Sequence, residues 1–151
     1  MTIRYYMKGK ELMYKVAEAK SSSFDKQSSK DNKNLIMVVD DESLIRDVTK
    51  TILETFGYRV LTVSNGLDAI ELYKAKKDEV KIILTDLNMP VMDGITMIKS
   101  ILNFDSQARF IINSGLLSSI SNSDLLELNV VSLLQKPFSA ESLLKKINEI
   151  F

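Results

Sequence analysis

Ile82-Ile83-Leu84-Thr85-Asp86-Leu87-Asn88-Met89-Pro90-Val91-Met92-Asp93-Gly94 is an apolar run that ends in an acid, then a turn punctuated by Pro and Gly. Four successive apolar or β-branched residues suit a strand buried on both faces, as in a parallel sheet. Pro90 and Asp93-Gly94 stop that strand, read as 81–86, and open a loop before a helix beginning near Ile95. Asp86 then stands at the carboxyl end of a buried strand, where open α/β sheets place their ligands. An Asp at such a position can equally do no more than end a strand or cap a turn, so its neighbours decide.

Upstream, Leu35-Ile36-Met37-Val38-Val39 is a second continuous apolar run, followed at once by Asp40-Asp41-Glu42. Ser43 can cap a helix with the stripe Leu44, Val48, Ile52 and Phe56, widened by Ile45 and Leu53, and Gly57 ends it. Arg59-Val60-Leu61-Thr62-Val63 alternates more and is placed at an edge; Asn65-Gly66 turns into a helix with Ala69, Ile70 and Tyr73. After the focal strand, a third helix carries Ile95, Ile98, Ile101 and Leu102 inward. Phe110-Ile111-Ile112-Asn113-Ser114 is a strand closed by Gly115, and a late, short helix is expected over 123–128, with Asn129 left-handed at its end. Val130 to Gln135 forms the last strand, ending at Lys136-Pro137, and Ser139 caps a final helix with Leu143, Leu144, Ile147 and Ile150 inward. Five strands alternating with five helices imply right-handed βαβ units and a three-layer α/β sandwich.

Residues 1–33 read as an N-terminal extension and polar linker, with Ile3, Tyr6, Met13, Val16 and Ala17 at loosely helical spacing and Ser- and Asn-rich runs behind them. A short amphipathic helix or a frayed tail is expected there. The domain proper is 34–151. The formal net charge is +0, but residues 1–34 carry eight bases against four acids, so the remainder is acidic to the same degree. That imbalance is too mild to argue nucleic-acid binding. No apolar run approaches the ~20 residues that span a bilayer. With no cysteine there are no disulfides or thiolate metal sites, which fits a cytoplasmic protein. With no histidine the chain cannot itself be a phosphohistidine donor or use His as an acid–base group. Oxygen ligands remain, and they favour a hard ion such as Mg²⁺.

In the doubly wound order 2-1-3-4-5, the strand ends bearing Asp40 and Asp41, Asp86, Ser114 and Lys136 rim one crevice. Clustered carboxylates repel, and a cation such as Mg²⁺ neutralises them. A carboxylate can serve as a nucleophile toward phosphorus. Lys136 offers fixed positive charge for phosphoryl oxygens, and the Ser114 hydroxyl can donate to one.

The run Asp40-Asp41, Asp86 within Asp-Leu-Asn-Met-Pro-Val-Met-Asp-Gly, Ser114-Gly115 and Lys136-Pro137-Phe138 closely resembles the receiver domains of two-component response regulators. The resemblance implies a flavodoxin-like doubly wound (βα)5 fold. It implies Asp86 as phosphoacceptor, Asp40, Asp41, Asp86 and the backbone carbonyl of Asn88 as Mg²⁺ ligands, Ser114 as switch hydroxyl and Lys136 as phosphoryl contact, with a cis peptide before Pro137. The expected partners are a histidine kinase or histidine phosphotransfer protein as donor and a downstream protein target, met through the face of the fourth helix, last strand and last helix. Neither direct nucleic-acid binding nor membrane insertion is expected, and catalysis is limited to the chain's own phosphorylation and dephosphorylation. A stand-alone receiver of chemotaxis or phosphorelay type is expected; the alternatives are a fragment of a larger regulator or hybrid kinase. From other classes, a small-molecule aspartyl-phosphate phosphohydrolase would want a second acid at Asn88, and a flavin module a phosphate-cradling loop where Asp40-Asp41-Glu42 stand. In two places the chain departs from the family or tunes it: Leu133 replaces the usual aromatic in the last strand, read as a conservative variant, and apolar Leu116 implies slow self-dephosphorylation.

Overall fold

The structure, a computed structural model, describes residues 2–7, 10–15, 34–115 and 120–151. In the N-terminal extension β1 (Thr2–Met7) and β2 (Lys10–Lys15) pair antiparallel, with Met7 opposite Lys10. This corrects the short helix expected within residues 1–20. Thr2, Ile3, Tyr5 and Tyr6 are β-branched or aromatic, the types that favour an extended pleat over a helix. The polar linker of residues 16–33 and Leu116 lie outside the described residues.

The remaining elements alternate strictly. They are β3 (Leu35–Val39), α1 (Ser43–Thr55), β4 (Arg59–Val63), α2 (Gly66–Lys76), β5 (Val80–Thr85) and α3 (Gly94–Leu102), then β6 (Phe110–Ser114), α4 (Asn122–Glu127), β7 (Val130–Gln135) and α5 (Ala140–Asn148). Their sheet has five strands in the order β4-β3-β5-β6-β7, all neighbours parallel, which is the expected 2-1-3-4-5. β4 is an edge strand as its alternating pattern implies.

Because successive side chains of a strand point to opposite faces, the central strands supply two cores. Met37, Ile83, Phe110 and Ile112 pack with Ala69, Ile70 and Tyr73 of α2 and with Met97, Ile98 and Ile101 of α3. On the other face Ile36, Val38, Ile82, Leu84 and Ile111 pack against Ile45, Val48, Ile52 and Leu53 of α1 and Leu143, Leu144 and Ile147 of α5. Each fully buried Leu or Ile contributes roughly 1.5–3 kcal/mol relative to leaving it exposed, so both faces hold the sheet.

Element ends follow local chemistry. Asn65, Asp93, Ser121 and Ser139 cap α2, α3, α4 and α5, each accepting a backbone N–H three residues on. For α1 the cap is Glu42 without a side-chain bond, and Ser43 is the first helical residue, not the cap expected. Gly57 (φ 87°) and Asn129 (φ 48°) take the left-handed positions after α1 and α4. α4 starts one residue before the expected 123. No helix among the described residues is long and apolar enough to cross a membrane.

Candidate functional site

The carboxyl ends of the strands are tied to one another by bonds that continue the ladder. Asp40 N–H donates to the Val63 carbonyl (3.1 Å), Asp86 N–H to Val39 (2.9 Å) and Lys136 N–H to Ser114 (3.0 Å). Val38, Leu84 and Leu134 all face α1 and α5. Two residues on, Asp40, Asp86 and Lys136 therefore emerge on that same side and converge. Ser114 follows Phe110 and Ile112 and takes the opposite side of β6, fully buried.

Convergence produces a compact charge cluster. The Lys136 ammonium donates to Asp40 Oδ2 and to Asp86 Oδ2, each at 2.7 Å, with Glu42 Oε1 at 3.9 Å. Asp40 is 1 % exposed and Asp86 7 %. Each second oxygen is also engaged. Asp40 Oδ1 accepts from Glu42 N–H at 2.9 Å, and Asp86 Oδ1 accepts from Leu87 N–H at 2.6 Å and Asn88 N–H at 3.2 Å. Burial pushes the Asp40 carboxyl above its ordinary range, against the pull of Lys136. Burial alone would lower Lys136, but the carboxylates of Asp40 and Asp86 outweigh it and hold the ammonium above its ordinary value.

Asp41 is exposed at the rim, and one carboxylate oxygen from each of Asp40, Asp41 and Asp86 lies within 4.8 Å of the others. Three acids and Glu42 against one lysine leave a surplus of negative charge, and every donor is a hard oxygen. That set fits Mg²⁺. Asn88 is exposed just beyond Asp86, its amide already turned to the Asp86 carboxylate. The structure thus brings Asp40, Asp41, Asp86 and Lys136 together, places Asn88 beside them, and sets Ser114 on the neighbouring strand's other face. The Lys136–Pro137 peptide is cis, as expected. Leu133 is partly buried against the α2–α3 core, on the same side of the sheet as Ser114.

Three residues of the site were not singled out from sequence. Arg46 of α1 reaches back to donate from Nη1 to the carbonyls of Asp40 (2.7 Å) and Asp41 (3.0 Å), clamping the acidic loop. Its signal is weak, one base among many on an exposed helix turn. Gly94 closes the loop after Asp86: its N–H donates to the Leu87 carbonyl at 2.9 Å, and a Cβ here would lie 2.2 Å from the Asp86 carbonyl oxygen. Asn113 is a buried amide that follows three apolar residues of β6, 2 % exposed, with its Oδ1 unpartnered.

Comparison with known proteins gives a consistent result. The family model described as "Response regulator receiver domain" matches residues 36–148. The chemotaxis protein CheY of Bacillus subtilis is 35% identical over 115 residues, covering 76% of this chain and 94% of that protein. CheY of Treponema pallidum is 34% identical over 116 residues, covering 76% and 81%. Among solved structures, a CheX–CheY complex with BeF3 and Mg²⁺ from Borrelia burgdorferi superimposes with a TM-score of 0.72 at 28% identity, over 78% of this chain and 88% of that one.

Proposed function

The chain belongs to the response regulator receiver family, and from that premise we propose that it is a phosphorylation-dependent signalling switch with Asp86 as phosphoacceptor. The observation that carries this reading is the Lys136 ammonium bridging two buried carboxylates, Asp40 and Asp86, with Asp41 in the same cluster.

Asp86 is held for the task by its backbone and by two amides on Oδ1, which leaves Oδ2 to face the crevice with Lys136. A lone pair of an Asp86 carboxylate oxygen forms the new P–O bond as the donor's P–N bond breaks, and the departing imidazole keeps that electron pair and takes up a proton. Lys136 stays beside the acceptor to balance charge on the phosphoryl oxygens, and Ser114, fully buried on the other side of β6, is the switch hydroxyl that moves toward the phosphoryl group once it is in place. Asp40, Asp41, Asp86 and the Asn88 carbonyl would hold Mg²⁺, which when bound would supply the charge neutralisation for an anionic donor to approach an anionic acceptor.

The donor is a separate histidine kinase or histidine phosphotransfer protein, the kind of partner that membership of the receiver family implies; the chain has no histidine with which to carry the phosphoryl group itself. The output is a protein contact through the face of α4, β7 and α5, where Leu126 and Val131 are exposed. The Borrelia CheY neighbour, in complex with CheX, supports a protein partner. We place the protein in the cytoplasm and assign it no catalysis beyond its own phosphorylation and dephosphorylation.

Intact-mass measurement after incubation with Mg²⁺ and acetyl phosphate or phosphoramidate tests the reading. A single phosphoryl adduct is expected on the wild type, absent from Asp86→Asn and prevented by EDTA. An adduct that survives in Asp86→Asn, or none with any donor, overturns it.

A further inference from the structure

Buried polar oxygens rarely go without a hydrogen-bond partner, because leaving one unpaired costs stability. Among the described residues the side-chain atoms in that position are Thr49 Oγ1 and Asn113 Oδ1. Thr49 sits within α1. Asn113 sits on β6, the strand between β5, which leads to Asp86, and β7, which leads to Lys136.

The register places it closely. Thr85 pairs with Ile112, so one step further Asp86 lies level with Asn113, a strand spacing of about 4.8 Å away. Asn113 follows Ile111, which faces α1 and α5; its side chain therefore points to the side on which Asp40, Asp86 and Lys136 converge. Across the other ladder Asn113 pairs with Leu134, two residues before Lys136. To reach Asp86 and Asp40 from β7, the Lys136 stem must pass over the end of β6, and so over Asn113.

The lysine's bonds give this position a use. An ammonium has three N–H donors, and Lys136 directs two of them to Asp40 Oδ2 and Asp86 Oδ2. Those are also the carboxylate oxygens not already taken by backbone amides. When Asp40 and Asp86 serve as cation ligands, the Lys136 N–H groups lose acceptors in a crevice where the side chain is only 16 % exposed. We propose that Asn113 is a further positioning residue of this site: its buried Oδ1 accepts from the Lys136 ammonium once Asp40 is committed to Mg²⁺, and so aims the lysine at the phosphoryl group on Asp86. The inference rests on the receiver reading. It gives the unpaired amide a function, that of an acceptor held in reserve for Lys136.

The test compares Asn113→Val with Asn113→Thr, two side chains of nearly one shape that differ in an acceptor hydroxyl. Melting in EDTA, Mg²⁺ affinity by calorimetry and formation of the Mg²⁺–BeF3⁻ adduct by ¹⁹F NMR are measured on the full chain. Asn113→Val should melt above the wild type in EDTA, because an unpaired polar group is gone, yet bind BeF3⁻ roughly ten- to a hundredfold more weakly, as for one lost hydrogen bond to a charged group. Asn113→Thr should retain affinity within a few-fold. Equal, wild-type affinity in both variants overturns the inference, and so does equal weakening in both, which would be a packing defect. Should the valine protein not fold, Asn113→Ala against Asn113→Ser carries the same comparison. A wild type that forms no adduct at all overturns the receiver reading and this inference together, whereas an intact wild-type adduct with an indifferent Asn113→Val overturns this one alone.

Discussion

Asp40 is a carboxylate whose burial works against folding when it is ionised. Burial raises its pKa above the ordinary 3.8 despite the Lys136 contact. A raised pKa means that the folded state holds the proton more tightly than the unfolded chain. The stability from Asp40 is thus whole below 3.8 and is lost as pH rises through the raised value. At neutral pH the ionised group is a burden that a bound cation offsets. Asp40→Asn, which keeps the shape and one acceptor, should be more stable than the wild type toward urea in EDTA at pH 7 and show no gain at pH 3. A variant less stable at pH 7 would mean that the Lys136 bond outweighs the cost of burial. At this scale the acids and the lysine were legible because charge at the end of an apolar strand is conspicuous. Arg46 and Asn113 were not, since Arg46 acts on carbonyls, which carry no sequence signature. Asn113 shows its role only once its face and register are known.

The loop from Leu87 to Asp93 is the element most constrained by the site. Gly94 is required because a Cβ would strike the Asp86 backbone, an atom that cannot move without moving the acceptor. Gly94→Ala should cost at least about 3 kcal/mol, at the upper end for overpacking, and should displace the acid cluster as well. Three residues earlier, Val91 is 84 % exposed and held at φ 70°, a left-handed conformation that opposes a β-branched residue. Val91→Gly should raise stability by up to about 1 kcal/mol, read from the urea midpoint; a loss would show that the valine side chain holds the loop. Helix faces were less legible than helix positions. The stripe Leu44, Val48, Ile52 and Phe56 steps by four residues each time, so it drifts round a helix of 3.6 per turn. The buried face is Ile45, Val48, Thr49, Ile52 and Leu53, and Phe56 is left 40 % exposed. In α3 the stripe Ile95, Ile98 and Ile101 steps by three, drifts the opposite way and left out Met97, which is fully buried.

For the whole molecule, the layers followed from strict strand–helix alternation and right-handed crossovers, and the order 2-1-3-4-5 from the common doubly wound arrangement that the receiver resemblance also implies. The N-terminal strands did not, because Gly9 interrupts a stretch whose apolar residues satisfy a helical spacing as loosely as a pleated one. The site draws on the ends of β3, β5 and β7 together, so a ligand there stabilises the sheet as a unit. Mg²⁺ at a hundred times its dissociation constant adds about 2.7 kcal/mol, and for a chain of this size the melting temperature should rise by about 5–10 °C. The rise should vanish in a chain carrying both Asp40→Asn and Asp86→Asn, and a rise that persists would place the cation elsewhere. The Lys136 bridge has a spectroscopic consequence as well. Ammonium protons on surface lysines exchange with water too fast to be seen, but those of Lys136 are sheltered in short bonds to two buried carboxylates. Its side-chain ¹⁵N–¹H resonance should stand alone at neutral pH, an intrinsic reporter whose shift follows the state of the crevice without any probe attached.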